Sequence, residues 1–262
     1  MIGCGGMSND SRPYVLSEIC WPPAELYPVA VLPWGATEAH NRHLPYGTDT
    51  IMVERVAHEA ARIAWDRGAR PIVLPAIPLG VQTGQADIPL CLNMNPSTQA
   101  SLLADLAASL EPHGVRSLVV LNGHGGNEFR SIVRELQPRT GVFLCVANWW
   151  KAADHRVFAE PGDHAGELET SVMMHVAPEL VRTLESAGRG AERRMKPRAF
   201  RDGWAWAPRR WSSATADTGI GDPRASTAEN GRAFFDEAAR SIAGLIVDLA
   251  NTTPESLYEE SP

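Results

Sequence analysis

Apolar residues along this chain come in short uninterrupted runs, separated by stretches in which they recur at helical spacing. The first run, residues 28–33 (Pro-Val-Ala-Val-Leu-Pro), is bounded by proline and glycine and predicts a buried strand. Residues 50–67 follow with Met52, Val53, Val56, Ala60, Ile63 and Ala64 on one helical face. Residues 71–75 predict a second short strand. The proline- and glycine-rich passage 76–96 has no clear period, and a passage of that length points to function or a partner surface. Asn95-Pro96 then opens a helix, with Asn95 as its cap, an apolar stripe of Leu102, Leu103, Leu106 and Leu110, and His113-Gly114 as its end. A strand over 115–121, a helix over 128–136, a strand over 142–147 and a last helix over 227–249 complete the pattern. Strands and helices alternating with short joints predict an α/β fold whose parallel sheet is covered on both faces.

Composition narrows the setting. The chain has 262 residues, 44% of them hydrophobic, which suits one large domain with a well-buried core. No repeat or shift in composition marks a second domain. Residues 1–12 are glycine-rich and polar and are expected to be loose, leaving a single domain over 13–252 and a tail over 253–262. A formal charge of −7 argues against a nucleic-acid partner. Basic residues thicken between Arg189 and Arg210, but aromatic and acidic residues interrupt them, as in a solvated loop. Cys4, Cys20, Cys91 and Cys145 form no Cys-x-x-Cys pair, so neither a thiolate zinc site nor a disulfide framework is expected and a reducing compartment fits. The N-terminus lacks the pattern of a secretory signal, and no apolar run is long enough to span a bilayer. A cytoplasmic protein without a membrane partner is the expectation.

Three polar segments carry the chemistry. Residues 35–50 (Gly-Ala-Thr-Glu-Ala-His-Asn-Arg-His-Leu-Pro-Tyr-Gly-Thr-Asp-Thr) leave the carboxyl end of the first strand, where open α/β sheets place their sites. Glu38 and His40 are two apart, so in an extended chain their side chains leave one face. Asp49 sits where the next helix should begin, and the plain alternative for it is an N-cap. The second segment, Asn122-Gly-His-Gly-Gly-Asn127, again follows a strand, and its glycines would turn Asn122, His124 and Asn127 into the crevice. The third, His164-Ala-Gly-Glu-Leu-Glu-Thr-Ser171, reads as a loop entering a helix whose first turn holds Glu167 and Glu169, with dipole capping as the plain alternative for either. Glu38, His40, Asp49, His124 and Glu169 together make a mixed oxygen and nitrogen set sufficient for two divalent metals.

In these motifs, with Thr37-Glu-Ala-His40, His43-Leu-Pro-Tyr-Gly-Thr-Asp49 and the later Gly219-Ile-Gly-Asp-Pro223, the chain resembles the creatininase (creatinine amidohydrolase) family. The resemblance implies a three-layer α/β/α sandwich with a mainly parallel sheet. It also implies two divalent metals per subunit (Zn²⁺ first, Mn²⁺ or Fe²⁺ as alternatives), a small-molecule substrate and a homo-oligomer, often a hexamer. Asp49 would bridge the metals, Glu38 and His124 would hold one, and His40 and a glutamate the other. Creatininases proper take that glutamate from two residues beyond the histidine of the Asn-Gly-His turn, where this chain has Gly126. The branch with Asn-Gly-His-Gly-Gly-Asn takes it from the Glu-Thr-Ser segment, which here is Glu169. Asn41-Arg42 stands where Gly-Pro is usual. Both departures point away from creatinine itself as substrate.

The activity implied is hydrolysis of a small cyclic amide or related bond by a metal-activated water, with His164 or Glu167 moving the proton. Trp149 and Trp150 resemble aromatic residues that cover the substrate, or else simply pack. His43, Asn122 and Asn127 complete the expected substrate contacts, and the loop from Trp204 to Trp211 is a lid or a subunit contact. Relatives with these motifs also suggest opening of a cyclic keto-inositol (3-dehydro-scyllo-inosose type), removal of a formyl group, or cleavage of a peptide precursor. A metabolite-binding protein on the same scaffold is the non-enzyme alternative.

Overall fold

The two central strands of the sheet are apolar at successive positions because each face of the sheet is roofed by helices, so neither set of their alternating side chains meets water. The computed structural model describes residues 12–253 and 256–259. Strands β1 (Val29–Trp34), β2 (Pro71–Val73), β3 (Ser117–Asn122) and β4 (Phe143–Asn148) form one parallel sheet in the order β2-β1-β3-β4. Between them run α1 (Thr48–Asp66), α2 (Pro96–Leu110) and α3 (Phe129–Leu136). After β4 come α4 (Glu167–Val176), the short α5 (Arg198–Arg201) and α6 (Trp211–Ala214), and the long α7 (Ala228–Asn251).

Alternation along the strands builds two cores. Val29 and Val31 of β1 and Val119 and Leu121 of β3 pack under α1, α4 and α7, against residues such as Met52, Val53, Val172, Phe234 and Ile242. Ala30, Leu32 and Trp34, with Leu118 and Val120, face the other way, onto Leu103 of α2 and Phe129, Ile132 and Leu136 of α3. The result is the expected three-layer α/β/α arrangement. Trp34 is fully buried on the second face, and its indole N–H donates to Leu79 O at 2.8 Å, so the large ring leaves no polar atom unsatisfied. Among the described residues no helix is long and apolar enough to cross a membrane.

Two helix starts differ from expectation. The first long helix begins at Thr48 with Gly47 as N-cap, so Asp49 lies inside its first turn and its carboxylate caps nothing. Asn95 precedes α2, but its side-chain oxygen accepts from Asn93 Nδ2 (2.8 Å) rather than from the helix. Thr227, by contrast, caps α7, its hydroxyl accepting from Asn230 N at 3.1 Å. Residues 1–11 of the segment expected to be loose, and residues 254–255 and 260–262 of the tail, lie outside the described residues.

Candidate metal centre

Register brings the carboxyl ends of β1 and β3 side by side, with Trp34 opposite Asn122. The loop after β1 delivers Glu38 and His40, the first turn of α1 delivers Asp49, and the turn after β3 delivers His124. That turn crosses α1 closely: a Cβ on Gly123 would lie 2.8 Å from Val53 Cβ and 2.9 Å from Asp49 O, so only glycine lets His124 and Asp49 meet. The segment entering α4 closes the ring of residues with His164 and Glu169.

Asp49 is the hub. It is 1% exposed, and its Oδ1 lies 3.0 Å from His40 Nε2 while its Oδ2 lies 3.0 Å from His124 Nδ1. Glu38 Oε1 sits 2.9 Å from His124 Nδ1, and Glu169 Oε2 sits 3.9 Å from His40 Nε2. Two triads therefore share Asp49, Glu38–Asp49–His124 and His40–Asp49–Glu169, each with its candidate ligand atoms within 4.8 Å of one another. Despite its proximity to His124, Asp49 Oδ2 accepts no aligned hydrogen bond and is left buried without a donor. A bare buried carboxylate oxygen is costly unless a cation neutralises it, so the donor set fits divalent-cation binding.

The local electrostatics agree. Burial alone would raise the pKa of Asp49, but His40 and His124 overcome it and hold the carboxyl well below its usual range. Burial also works against a charged His40, yet Asp49, with Glu169 and Glu38, carries its pKa up to about 10. Glu38 is lowered: burial opposes its charge, and His124 and His164 outweigh burial. Glu169 goes the other way, raised chiefly by burial, because His40 and His164 only partly compensate it. Of the three carboxylates, Glu169 is thus the one whose charge the imidazoles leave least compensated against burial.

A supporting shell orients these groups. His40 Nδ1 donates to Glu38 O at 3.0 Å, which leaves Nε2 free toward Asp49. His124 Nε2 faces Val81 O at 3.1 Å and the Gln82 carboxamide at 2.9 Å, leaving Nδ1 for Glu38 and Asp49. Gln85 is fully buried; its amide donates to Glu38 Oε2 at 2.5 Å, and its carbonyl accepts from Ala39 N (3.3 Å) and Cys91 Sγ (3.1 Å). Ala165 adopts φ 50°, a strained conformation for a residue with a Cβ, and from it donates its N–H to Glu169 Oε2 at 2.5 Å.

His164 forms a third group with Glu38 and His40, the candidate ligand atoms of the three also within 4.8 Å of one another, but without Asp49. Its Nε2 donates to Ala39 O at 2.9 Å, so its Nδ1 presents a lone pair toward the cluster, 3.7 Å from Glu38 Oε1. Its ring packs on His40 (centroids 4.2 Å apart) and edge-on to Trp211 (4.7 Å).

The other expected site residues stand elsewhere. Glu167 points away from the cluster, its Oε2 accepting from Glu160 N at 2.9 Å, because side chains two apart on a helix diverge. Asn122 and Asn127 hold the turn rather than face the cavity: Asn122 Oδ1 accepts from His124 N and Asn127 Nδ2, and Asn127 Oδ1 accepts from Val81 N and Gln99 Nε2. His43 hydrogen-bonds Thr170 Oγ1 at 2.8 Å, and burial, with His40 nearby, keeps it neutral with a pKa down to about 4. Trp149 is in the core, edge-on to Phe234, and Trp150 packs beside it. Neither reaches the metal-site cavity.

The aromatic wall comes instead from the loop between α5 and α6. A cavity of about 260 Å³ over the cluster is lined by Gln82, His164, Trp206, Arg209 and Trp211 among others. The loop is tied down at several points. Arg209 pairs with Asp163 at 2.6 Å, and Arg210 and Ser212 both reach Asp87. Upstream of α5, Asn41 clamps Gly188, accepting from its N–H (2.8 Å) and donating to its C=O (3.1 Å). Asn41 has φ 54°, a left-handed conformation that asparagine tolerates better than most residues. The departure from Gly-Pro at 41–42 therefore comes with a left-handed turn at Asn41 and an anchor for the segment that precedes α5.

Comparison with known proteins places this geometry. Residues 17–246 match the family model Creatininase: Creatinine amidohydrolase. A mycofactocin precursor peptide peptidase of Mycobacterium ulcerans is 32% identical over 238 residues, covering 87% of each chain. A putative creatinine amidohydrolase from Bacteroides fragilis superposes with a TM-score of 0.88 at 40% identity, over 94% of this chain and 99% of that one. A creatininase variant of Zn–Zn type shares the fold at a TM-score of 0.74 and 23% identity, over 91% and 98%.

Proposed function

The chain belongs to the creatininase (creatinine amidohydrolase) family of metal-dependent hydrolases, and on that premise we propose that it cleaves an amide bond at a dinuclear centre, in a substrate larger than a small ring. One observation carries the reading: the Asp49 carboxylate lies between two imidazoles at 3.0 Å each and keeps one buried oxygen without a donor. Glu38, Asp49 and His124 would hold one cation, and His40, Asp49 and Glu169 the other. Zinc suits this mixture of imidazole and carboxylate best. Two such cations, when bound, acidify a water and polarise the carbonyl it attacks.

The chain's own residues supply the rest. His164, with Nε2–H committed to Ala39 O, takes the proton of the attacking water on Nδ1 and returns it to the departing amine. Trp211 covers the outer side of that imidazole and limits its access to bulk water. Glu167, bonded to Glu160 N, takes no part. Similarity to a peptide peptidase over most of both chains favours a peptide amide over a cyclic one, as does the departure from the creatininase pattern at Gly126.

The test is metal analysis and hydrolysis of short peptide amides and cyclic amides with Zn²⁺ or Mn²⁺ supplied, on wild type and His164→Ala. We expect about two cations per chain in both proteins, with turnover lower by roughly 10²–10⁴-fold in the variant. A wild type that binds no metal refutes the centre. Loss of a cation in His164→Ala makes this histidine a ligand, and unchanged turnover removes it from the reaction.

A further inference from the structure

The wall that closes the metal cavity has a second side. Trp206, Ala207 and Arg209 line the 260 Å³ cavity over the cluster, and the same three residues line an adjoining cavity of about 420 Å³. The two spaces therefore lie next to one another on either side of this wall. The outer space has its own chemistry. Met195, Phe200 and Trp206 give it apolar surface, while Arg194 and Arg201 bring positive charge.

Charge accounting distinguishes the two compartments. Arg209 is already committed, at 2.6 Å to Asp163 on the metal side and 3.6 Å to Glu192 on the outer side. Arg194 Nε has only a 3.6 Å approach to Glu192. Arg201 makes no ion pair among the described residues. One glutamate thus faces three arginines in a space that also offers aromatic faces, and a guanidinium fork is matched best by a carboxylate.

Resting on the amide-hydrolase reading, we propose that this outer cavity is a second subsite, which takes a part of the substrate that carries a carboxylate next to an aromatic or aliphatic group. Arg194 and Arg201 recognise the carboxylate, and Phe200 and Trp206 take the apolar group. The substrate then enters as an elongated anionic chain with its scissile amide over Asp49, and the outer cavity sets which amide is presented.

The probes are N-acetylphenylalanine and N-acetylphenylalaninamide, which differ in one charge, titrated by calorimetry into the metal-loaded protein as purified. Wild type should bind the carboxylate about tenfold more tightly than the amide. In the Arg194→Gln/Arg201→Gln double variant the preference should fall to about twofold or less, and in Arg201→Glu it should reverse. Both arginines are exposed, so the double variant should keep its fold, which a melting curve checks. Equal binding of the two probes to wild type overturns the proposal. A preference that survives the double substitution also overturns it, because the carboxylate would then be sitting on the metals. A protein that hydrolyses short amides without charge preference refutes only this subsite. One that shows the preference but hydrolyses nothing keeps the subsite and refutes only the hydrolase reading.

Discussion

Replacing Asp49 by asparagine preserves shape and removes one charge from the point on which both triads depend. Each carboxylate oxygen lies 3.0 Å from an imidazole nitrogen. At an effective dielectric of about 20, a unit charge pair at that separation is worth about 5 kcal/mol. Desolvation of a fully buried carboxylate opposes this, and Glu38 and Glu169 remain to compensate in part, so a net loss of about 2–3 kcal/mol per cation is the reasoned figure. That weakens each cation's binding by roughly 30- to 150-fold. In a chelator-buffered series, Asp49→Asn should release its metal at free-metal concentrations where wild type holds about two cations per chain, and turnover should fall with it. Elemental analysis after gel filtration reads the stoichiometry, and a melting curve confirms that the variant is folded. A folded variant with wild-type metal affinity and normal turnover would refute the assignment of Asp49 as the shared ligand.

Three further outcomes follow from the same geometry. Glu169→Gln should lose one cation, whereas Glu167→Gln should keep both and lose about 1–2 kcal/mol of stability through its bond to Glu160 N; metal content of the pair reads the difference, and the opposite result reverses the two roles. Gln85→Leu leaves Glu38 Oε2 without its donor and frees that carboxylate to turn, so metal affinity should fall about 10- to 100-fold with the fold retained, and an unchanged affinity would sink the orienting role. Without metal, His40 has a folded pKa of about 10 against an ordinary value near 6.5, so its contribution to stability is complete below about pH 6.5 and is lost as pH rises through 10. Chelator-treated protein should therefore melt progressively earlier from pH 7 to 10, and a profile that is flat, or unaltered in His40→Gln, would contradict this.

The fold was legible because its signals are local and repeated. Runs such as Leu118-Val-Val-Leu121 can be satisfied only by burial on both faces, and the intervening helical stripes supply the cover. Cap chemistry was less legible, since it depends on competition. Asp49 resembles a cap until its carboxylate finds His40 and His124, and Asn95 resembles one until Asn93 offers a nearer donor. The aromatic wall was misplaced for a similar reason. Trp149 follows a strand end, as a substrate-covering residue would, but α7 runs beneath that end and Phe234 takes the ring into the core. The orienting glutamines were not found at all. Gln82 and Gln85 lie in the passage 76–96, whose lack of period marked it as functional but could not say which of its polar residues turn inward.

Of the two glutamates at the start of α4, the resemblance singled out Glu169 as the ligand, and the turn at 122–127 bears on why that one faces the cluster. A Cβ at Gly126 would lie 2.3 Å from His124 Nε2 and 2.5 Å from Val81 O, so no side chain fits there while His124 keeps Val81 as its partner. A carboxylate required beside His40 must then come from across the cleft. The loop entering α4 supplies it, and the left-handed turn at Ala165 aims its N–H at Glu169 rather than Glu167. The constraint works in both directions. With Glu169 occupying the space over His40, a glutamate at position 126 would add a further buried negative charge beside a Glu169 whose own charge burial already disfavours. Gly126 and Glu169 are thus coupled by packing and by charge, although they lie on different elements. Gly126→Glu alone should destabilise the fold, and joined with Glu169→Gln it should recover part of that loss by relieving the charge, while the contact with Val81 O remains.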